Sequence, residues 1–454
     1  MEAHYPKHLL YCLLIAGSWL LSCLLHFQYF HRSLSSSFAA PRRAALVVLP
    51  AALDASFFPA PTVEADDKRW STSVVASPSP SSPPPPSCEG RYVYMLDVPS
   101  RFDMLRDCVD GSPLFDDIWS WCAITHLCGF NTTVRDGPSE AFLRWLSSQP
   151  TWAALGGRDH FMVAAKTTWM FRREPGGRDD GCGNNFLGQP ETGNMSVLTY
   201  ESNIWAPRDI AVPYPSYFHP SSAGEVAAWQ ARARAAPRPF LFAFAGARRI
   251  KGQLAIRDRV FDVCEAAATR GRCGLVDCSH GLEGSITCRT AAKLVTLFTS
   301  ARFCLQPRGD SFMRRSSIDS VMAGCIPVFF HRASTLEAQY RWHEPEPGRS
   351  SNDGGRGRYY VLLNSDDVLE GRVDIEEELS RYSDEEVAAM REEVIKMIPR
   401  FLYKDPRVRF EGEMRDAFDI TIDGMMDRMR RIKNGENVIL KGDDGDEAMA
   451  ANDS

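Results

Sequence analysis

The chain has no run of Lys or Arg longer than two residues, and its formal net charge is −6. A phosphate backbone needs a concentrated basic face, so nucleic acid is excluded as a general partner. No C-x-x-C pair occurs among the thirteen cysteines, and no His-rich run accompanies them. The spacing of a structural zinc site is therefore missing. No internal repeat is present. What the chain does have is the make-up of a soluble globular protein, 44% hydrophobic and 24% charged residues, and 454 residues are enough for two globular domains. Thirteen cysteines is high for a cytosolic enzyme. Eleven lie beyond residue 80, scattered singly, as suits disulfides in an oxidising lumen. Eleven is odd, so at least one stays free or buried. Cys304 and Cys325 sit in apolar, strand-like contexts and read as inert core thiols.

The N-terminus accounts for a luminal setting. Residues 9–25 hold no charge, and the apolar character continues weakly through Phe27, Tyr29 and Phe30. Such a stretch just spans a thin bilayer. Lys7 precedes it while Arg32, Arg42 and Arg43 follow, so flanking charge leaves the orientation undecided. A cleaved signal peptide is the alternative, but its core would be long and no A-x-A site follows promptly. The expectation is a cytosolic tail (1–8), a signal anchor (9–30) and a luminal stem (31–87). The stem ends in SPSPSSPPPPS, a polyproline-type spacer that cannot pack a core.

The globular part starts near Cys88. RYVYMLD (91–97) predicts a first strand, residues 160–164 and 196–200 later ones, with a helical stretch over 139–147. AAWQARARAAPRP (227–239) gives a helix and then a proline pair. A second strand–helix series comes next, with strands over 240–244, 275–278, 303–306, 326–330 and 359–363. This alternation predicts parallel α/β halves, 88–235 and 236–432, with a ligand cleft between them. Ser383 and Glu386 form a capping box opening a helix to about residue 398, and 407–432 is a further amphipathic stretch. The acidic tail, 433–454, reads as disordered. Asn131 and Asn194 begin glycosylation sequons.

The stretch RFCLQPRGDSFMRRSSIDSVMAGCIPVFFH (302–331) carries the most chemistry. A strand meets a Pro-Arg-Gly-Asp-Ser turn, a helical segment begins from Phe312, Gly324 stops it, and a second buried strand completes the unit. Free N–H groups at a helix start, with Arg308, Arg314 and Arg315, suit a diphosphate, and Asp319 suits a ribose hydroxyl pair. Arg315 and Asp319 are also spaced i,i+4, so an ordinary helix-face ion pair is equally open.

This stretch resembles the donor-site region of exostosin-like plant glycosyltransferases, family 47, nearest the xyloglucan galactosyltransferases. YVYMLDVPSRFDMLRDC, RDHFMVA, FRR, NMSVLTYES, VPYPSYFHP, FAFAGARR and MIPRFLYKDPR match in the same order, over about residues 88–432. The resemblance implies a type II Golgi membrane protein with a GT-B fold, two Rossmann-like domains facing a central cleft behind the anchor and stem. It implies an inverting, metal-independent transferase using a UDP-sugar, with no resident cofactor and no metal ligands. The lack of a hydrophobic-flanked D-x-D motif agrees, since Asp444 and Asp446 lie in the tail. On this reading Gly246 lies in a turn (244–246) that lets backbone approach phosphate, and Arg249 and Arg257 add charge. Gly309 and Asp310 belong to the turn, Ser311 caps the helix, Arg314 or Arg315 clamps the diphosphate, and Asp319 binds ribose. Glu201, His160 and Asp159 are candidates for the base that deprotonates an acceptor hydroxyl, although Asp159 also reads as a turn or strand-end cap and His160 as a core histidine. One departure stands out: relatives carry Trp-Asp-Phe-Arg-Arg where this chain has Met170 before Phe171, which points to an altered acceptor site. The expected reaction moves galactose from UDP-galactose to xylosyl side chains of xyloglucan. Alternatives are galacturonosyl or arabinosyl transfer, or a non-catalytic glycan-binding or scaffold subunit in complex with other transferases.

Overall fold

The computed structural model describes residues 93, 96–99, 131–164, 171–173, 183–202, 208–248, 255–279, 286–288, 290–309, 311–344, 359–436 and 438. The expected anchor, the stem, Met170 and most of the acidic tail lie outside the described residues. So does most of the strand expected over 91–97; its described residues, 93, 96 and 97, are in no strand. Among the described residues no helix is long and apolar enough to cross a membrane.

Two parallel sheets carry the fold. In the first, β1 (Phe161–Ala164), β2 (Ser196–Thr199) and β3 (Asp209–Ala211) lie side by side in chain order. Helix α1 (Thr132–Ser147) covers it, burying Phe142, Leu143 and Leu146 against Met162 and Val197. Asn131 starts that helix: its side-chain oxygen accepts the Val134 N–H at 3.0 Å. A short α2 (Pro150–Leu155) comes after it.

The second sheet has five strands: β4 (Phe240–Gly246), β5 (Cys273–Asp277), β6 (Ala301–Gln306), β7 (Ile326–Phe329) and β8 (Val361–Leu362). Their spatial order is β5-β4-β6-β7-β8, all parallel. FLFAFAG is buried throughout, as a central strand covered on both faces must be. Ala243 and Ala245 join Leu294, Leu297 and Phe298 of α5 (Ala291–Thr299) in one core. Phe242 and Phe244 join Ile256 and Val260 of α4 (Ala255–Ala268) in the other. Helix α3 (Ala223–Ala235) precedes β4 and packs along α10 (Asp384–Phe401), with Arg234 paired to Glu392 at 2.9 Å. Between them lie α6 (Arg315–Met322), α7 (Leu336–Gln339), α8 (Ser365–Leu369) and α9 (Ile375–Ser380), and α11 (Ala417–Lys433) closes the fold. Arg238 donates to Phe298 O, Ala301 O, Ala233 O and Ala323 O. It thus satisfies carbonyls at the C-terminal ends of α3, α5 and α6 with one cation.

Four expectations are corrected. Cys304 and Cys325 are not free thiols but a disulfide, because pairing of β6 with β7 brings their Cα atoms to 5.9 Å. Cys264–Cys273 and Cys278–Cys288 are also bonded. Residues 244–246 form no turn, since β4 pairs with β5 as far as Gly246 with Asp277. Gly246 is needed there for space: a Cβ would stand 2.5 Å from the Phe244 ring. Helix α6 begins at Arg315 rather than Phe312, whose ring lies instead 4.8 Å from His331. The helix expected over 407–432 begins only at Ala417, where Asp416 and Asp419 form a capping box, after Pro406 and a left-handed Gly412 have kept the chain irregular.

Candidate functional site

In a doubly wound sheet, ligands bind beyond the carboxyl ends of the strands where the chain reverses its direction of winding. Here that point lies between β4, the first strand of its sheet, and β6, the third. Arg314 occupies it. Its guanidinium donates to Ala245 O at 3.2 Å and to Pro307 O at 3.4 Å, joining the carboxyl ends of both strands. The Gly309 N–H donates to Ser311 O at 3.1 Å, which closes the turn between β6 and α6.

The start of α6 carries the next groups. Its N-cap is Arg314, with no side-chain cap, so Ser311 does not fill that role. The Ser311 hydroxyl lies 3.2 Å from Met313 O instead. Ser316 Oγ donates to Gln306 Oε1 at 2.6 Å and holds the first turn of the helix to the end of β6. Arg315 Nε donates to Asp319 Oδ2 at 3.4 Å, the helix-face pair that the spacing allowed. Asp319 is 3% exposed; burial pushes its carboxyl up, opposed by the Arg315 charge. The Arg315 guanidinium lies 3.7 Å from the Tyr217 ring centre, and its Nη2 is buried without an acceptor among the described residues. Gly324 ends the helix at φ +63°, with Gly324 N–H bonded to Val321 O and Cys325 N–H to Ser320 O.

Glu201 reaches this site from the other sheet. It stands two positions beyond β2, is 3% exposed, and accepts the Met313 N–H at 3.4 Å. Burial pushes its pKa up to about 7, with Asp209 adding to the rise and the nearby polar hydrogens of Ser311 and Met313 opposing it. Such a carboxyl can both take and give a proton near neutral pH. Tyrosines surround it. Tyr200 and Tyr214 stack at 4.5 Å, and Tyr340 donates to Tyr200 O at 3.0 Å. Burial holds the Tyr214 hydroxyl protonated, and the group stands within electrostatic reach of Glu201, Arg314 and Arg315.

The remaining candidates separate. Asp159 and His160 precede β1, which runs parallel to β2, so they lie at the opposite edge of that sheet from Glu201. They are paired with each other at 2.9 Å, and the His160 ring packs edge-on to Trp152. Arg257 stands on α4, 7% exposed. Arg249 and Asp310 lie outside the described residues. Asn131 and Asn194 are exposed, Asn194 donating to Gly156 O at 3.0 Å. The pair after Met170 is committed within the first sheet's layer: Arg172 makes two 2.9 Å bonds to Asp209, and Arg173 binds Asp136. Sequence reasoning missed Tyr214 and Tyr217. Their only signal was VPYPSYFHP, a proline-spaced aromatic run of no evident periodicity.

The profile of the Exostosin GT47 domain matches residues 118–353. Xyloglucan galactosyltransferase MUR3 of Arabidopsis thaliana is 33% identical over 447 residues, covering 85% of this chain and 70% of that protein. The protein named "Probable xyloglucan galactosyltransferase GT14", from the same plant, is 39% identical over 67% of this chain and 55% of its own length. Xyloglucan-specific galacturonosyltransferase 1, again from Arabidopsis thaliana, is 31% identical over 76% of this chain and 58% of its own. Among solved structures, one of a GtfA/B complex aligns at 12% identity and a TM-score of 0.31, covering 64% of this chain and 61% of that one. A domain match that takes in β1 to β7, with the Glu201 and Arg315 neighbourhoods inside it, agrees with the motif order read from the residues. This chain belongs to the exostosin GT47 family of glycosyltransferases.

Proposed function

We propose that this glycosyltransferase moves galactose from UDP-galactose to the xylosyl side chains of xyloglucan, with inversion at the sugar C1 and without a metal, from the luminal side of the Golgi membrane. The observation that carries the reading is the meeting of Glu201 with the turn before α6, beside Arg314 and Arg315 at the switch point. In the transfer, the acceptor hydroxyl gives its proton to Glu201 while its oxygen bonds to C1 and the C1–O bond to UDP breaks. Charge then builds on the leaving diphosphate. The unfilled Arg315 Nη2 and the start of α6, which has no side-chain cap, are the groups that would meet it, and one such donor contributes roughly 3 kcal/mol to the transition state. Two named xyloglucan galactosyltransferases among the relatives support the sugar and the acceptor.

A second reading changes the donor to UDP-galacturonate. It is favoured by the relative named for galacturonosyl transfer, and by a buried guanidinium nitrogen that a uronate carboxylate would satisfy. The test incubates the full chain, in detergent and with chelator, with xyloglucan oligosaccharides and each UDP-sugar in turn. Addition of one hexose from UDP-galactose, lost in Glu201→Gln, is the expected result. Addition of one hexuronate alone would replace the donor, and no transfer from any UDP-sugar would sink the enzyme reading.

A further inference from the structure

Resting on the reading of Glu201 as the base, we propose that Gln339 and Tyr340 are its positioning residues. From the end of α7 they clamp the backbone on both sides of Glu201 and so fix where its carboxyl stands. The need for a clamp comes from the strand. β2 pairs with its neighbours only as far as Thr199, so residues 200–202 leave the ladder. Tyr200 and Glu201 stay buried there, and buried peptide groups must find partners elsewhere. The second half of the chain supplies them. The Ser202 N–H donates to Gln339 Oε1 at 2.7 Å, and Gln339 Nε2 donates back to Ser202 O at 3.3 Å. One side-chain amide thus meets both polar groups of a single residue, as the opposite residue of an antiparallel strand would. Two positions back, the Tyr340 hydroxyl donates to Tyr200 O at 3.0 Å. Between these anchors, the Glu201 carbonyl accepts from Thr199 Oγ1.

The clamp is itself held. Gln339 is buried, and its Nε2 also donates to Ala333 O at 2.7 Å. Tyr340 is fully buried, its ring edge-on to Phe401. From the other side, the Ser202 hydroxyl accepts the Ala211 N–H at 3.0 Å and ties the same residue to β3. With residues 200 and 202 fixed, the residue between them keeps little backbone freedom, and its carboxyl is delivered to the Met313 N–H at 3.4 Å. The Gln339 amide bonds go to Ser202 and Ala333, so its loss leaves the groups around Arg314 and Arg315 in place.

The test measures hexose transfer from UDP-galactose to xyloglucan oligosaccharides by the full chain, with UDP affinity read by calorimetry. Gln339→Met keeps the length of the side chain and loses the amide. Its kcat should fall about tenfold to a hundredfold, the effect of a base misplaced by up to about an ångström, while UDP affinity stays within about twofold. A general loosening of the fold would weaken UDP as well. In the Glu201→Gln background there is no base left to place, and Gln339→Met should then lower kcat less than about twofold. An undiminished factor in that background, an unchanged kcat in Gln339→Met, or a loss of UDP affinity equal to the loss of kcat overturns the proposal. Should Gln339→Met not fold, Tyr340→Phe decides, since it removes one hydroxyl and keeps the buried ring. Its kcat should fall about threefold to tenfold in the natural chain and stay level in the Glu201→Gln chain, and any other pattern overturns the proposal. Glu201→Gln alone keeps the two layers apart. If it transfers hexose at the natural rate, the base reading falls and takes this one with it. If it is slow while Gln339→Met and Tyr340→Phe match the natural chain, only the role of the clamp is lost.

Discussion

The Arg315 guanidinium stacks 3.7 Å from the centre of the Tyr217 ring, which joins the first turn of α6 to the loop leading into α3. The contact holds a planar cation in place without using up its hydrogen-bond donors, and one nitrogen remains unfilled. A flat fork suits a diphosphate better than a point charge does.

Replacing this residue by lysine keeps the charge and removes the plane. Arg315→Lys should weaken UDP binding about tenfold, with Tyr217→Leu weakening it by a smaller factor. Calorimetric titration with UDP measures both. Equal affinity in the natural chain and Arg315→Lys would remove the residue from the donor site.

As the proposed base, Glu201 would link activity to pH. Its folded pKa, raised from 4.5 to about 7, predicts a rate that climbs as pH passes through about 7 and the base ionises. Stability runs the other way. The proton is bound more tightly in the folded chain, so the favourable contribution is whole below 4.5 and is lost as pH rises through about 7. Glu201→Gln should therefore lower kcat/KM by about 10²–10⁴ and raise the unfolding free energy at pH 8 by up to about 3 kcal/mol. Denaturant melts at pH 8 and pH 4 check the sign. A variant destabilised equally at both values would contradict it.

The Cys304–Cys325 disulfide encloses the turn and helix that carry Gly309, Ser311, Arg314, Arg315 and Asp319, and spans 21 residues. Breaking it should cost about 3 kcal/mol through freedom returned to the unfolded chain. A Cys304→Ala/Cys325→Ala double variant should melt at lower temperature and bind UDP more weakly, as followed by calorimetry. An unchanged melting temperature would speak against the bond.

Arg238 supplies hydrogens to four carbonyls where the ends of α3, α5 and α6 meet the start of β6. Arg238→Met leaves them unpaired and should destabilise the chain by about 3–5 kcal/mol. Transfer by the folded fraction should persist, since the residue lies at the amino-terminal end of β4, away from the site. Denaturant melts at low temperature measure the loss.

Much of this architecture was legible in the residues. FLFAF, Gly324 and the Ser383–Glu386 capping box each act on neighbours within a few positions, so they behave in the fold as they read in the chain. The boundaries that slipped at Gly246 and Phe312 were those where a sheet partner or a packed ring overrode local preference, while the one at residue 407 gave way to Pro406 and the left-handed Gly412. Cys304 and Cys325 looked inert because apolar flanks describe a buried disulfide as well as a buried thiol.

The order of residues alone was enough for the family, the parallel α/β character and the two segments, around Glu201 and around residues 307–319, that carry polar groups in apolar surroundings. It took the folded chain to choose which of the three base candidates meets the second sheet. Asp159, His160 and Glu201 all flank strands, but parallel strands send the residues before β1 and those after β2 to opposite edges. Glu201 and Met313 stand 112 positions apart along the chain. Their meeting depends on strand order and packing, which no local pattern of residues encodes.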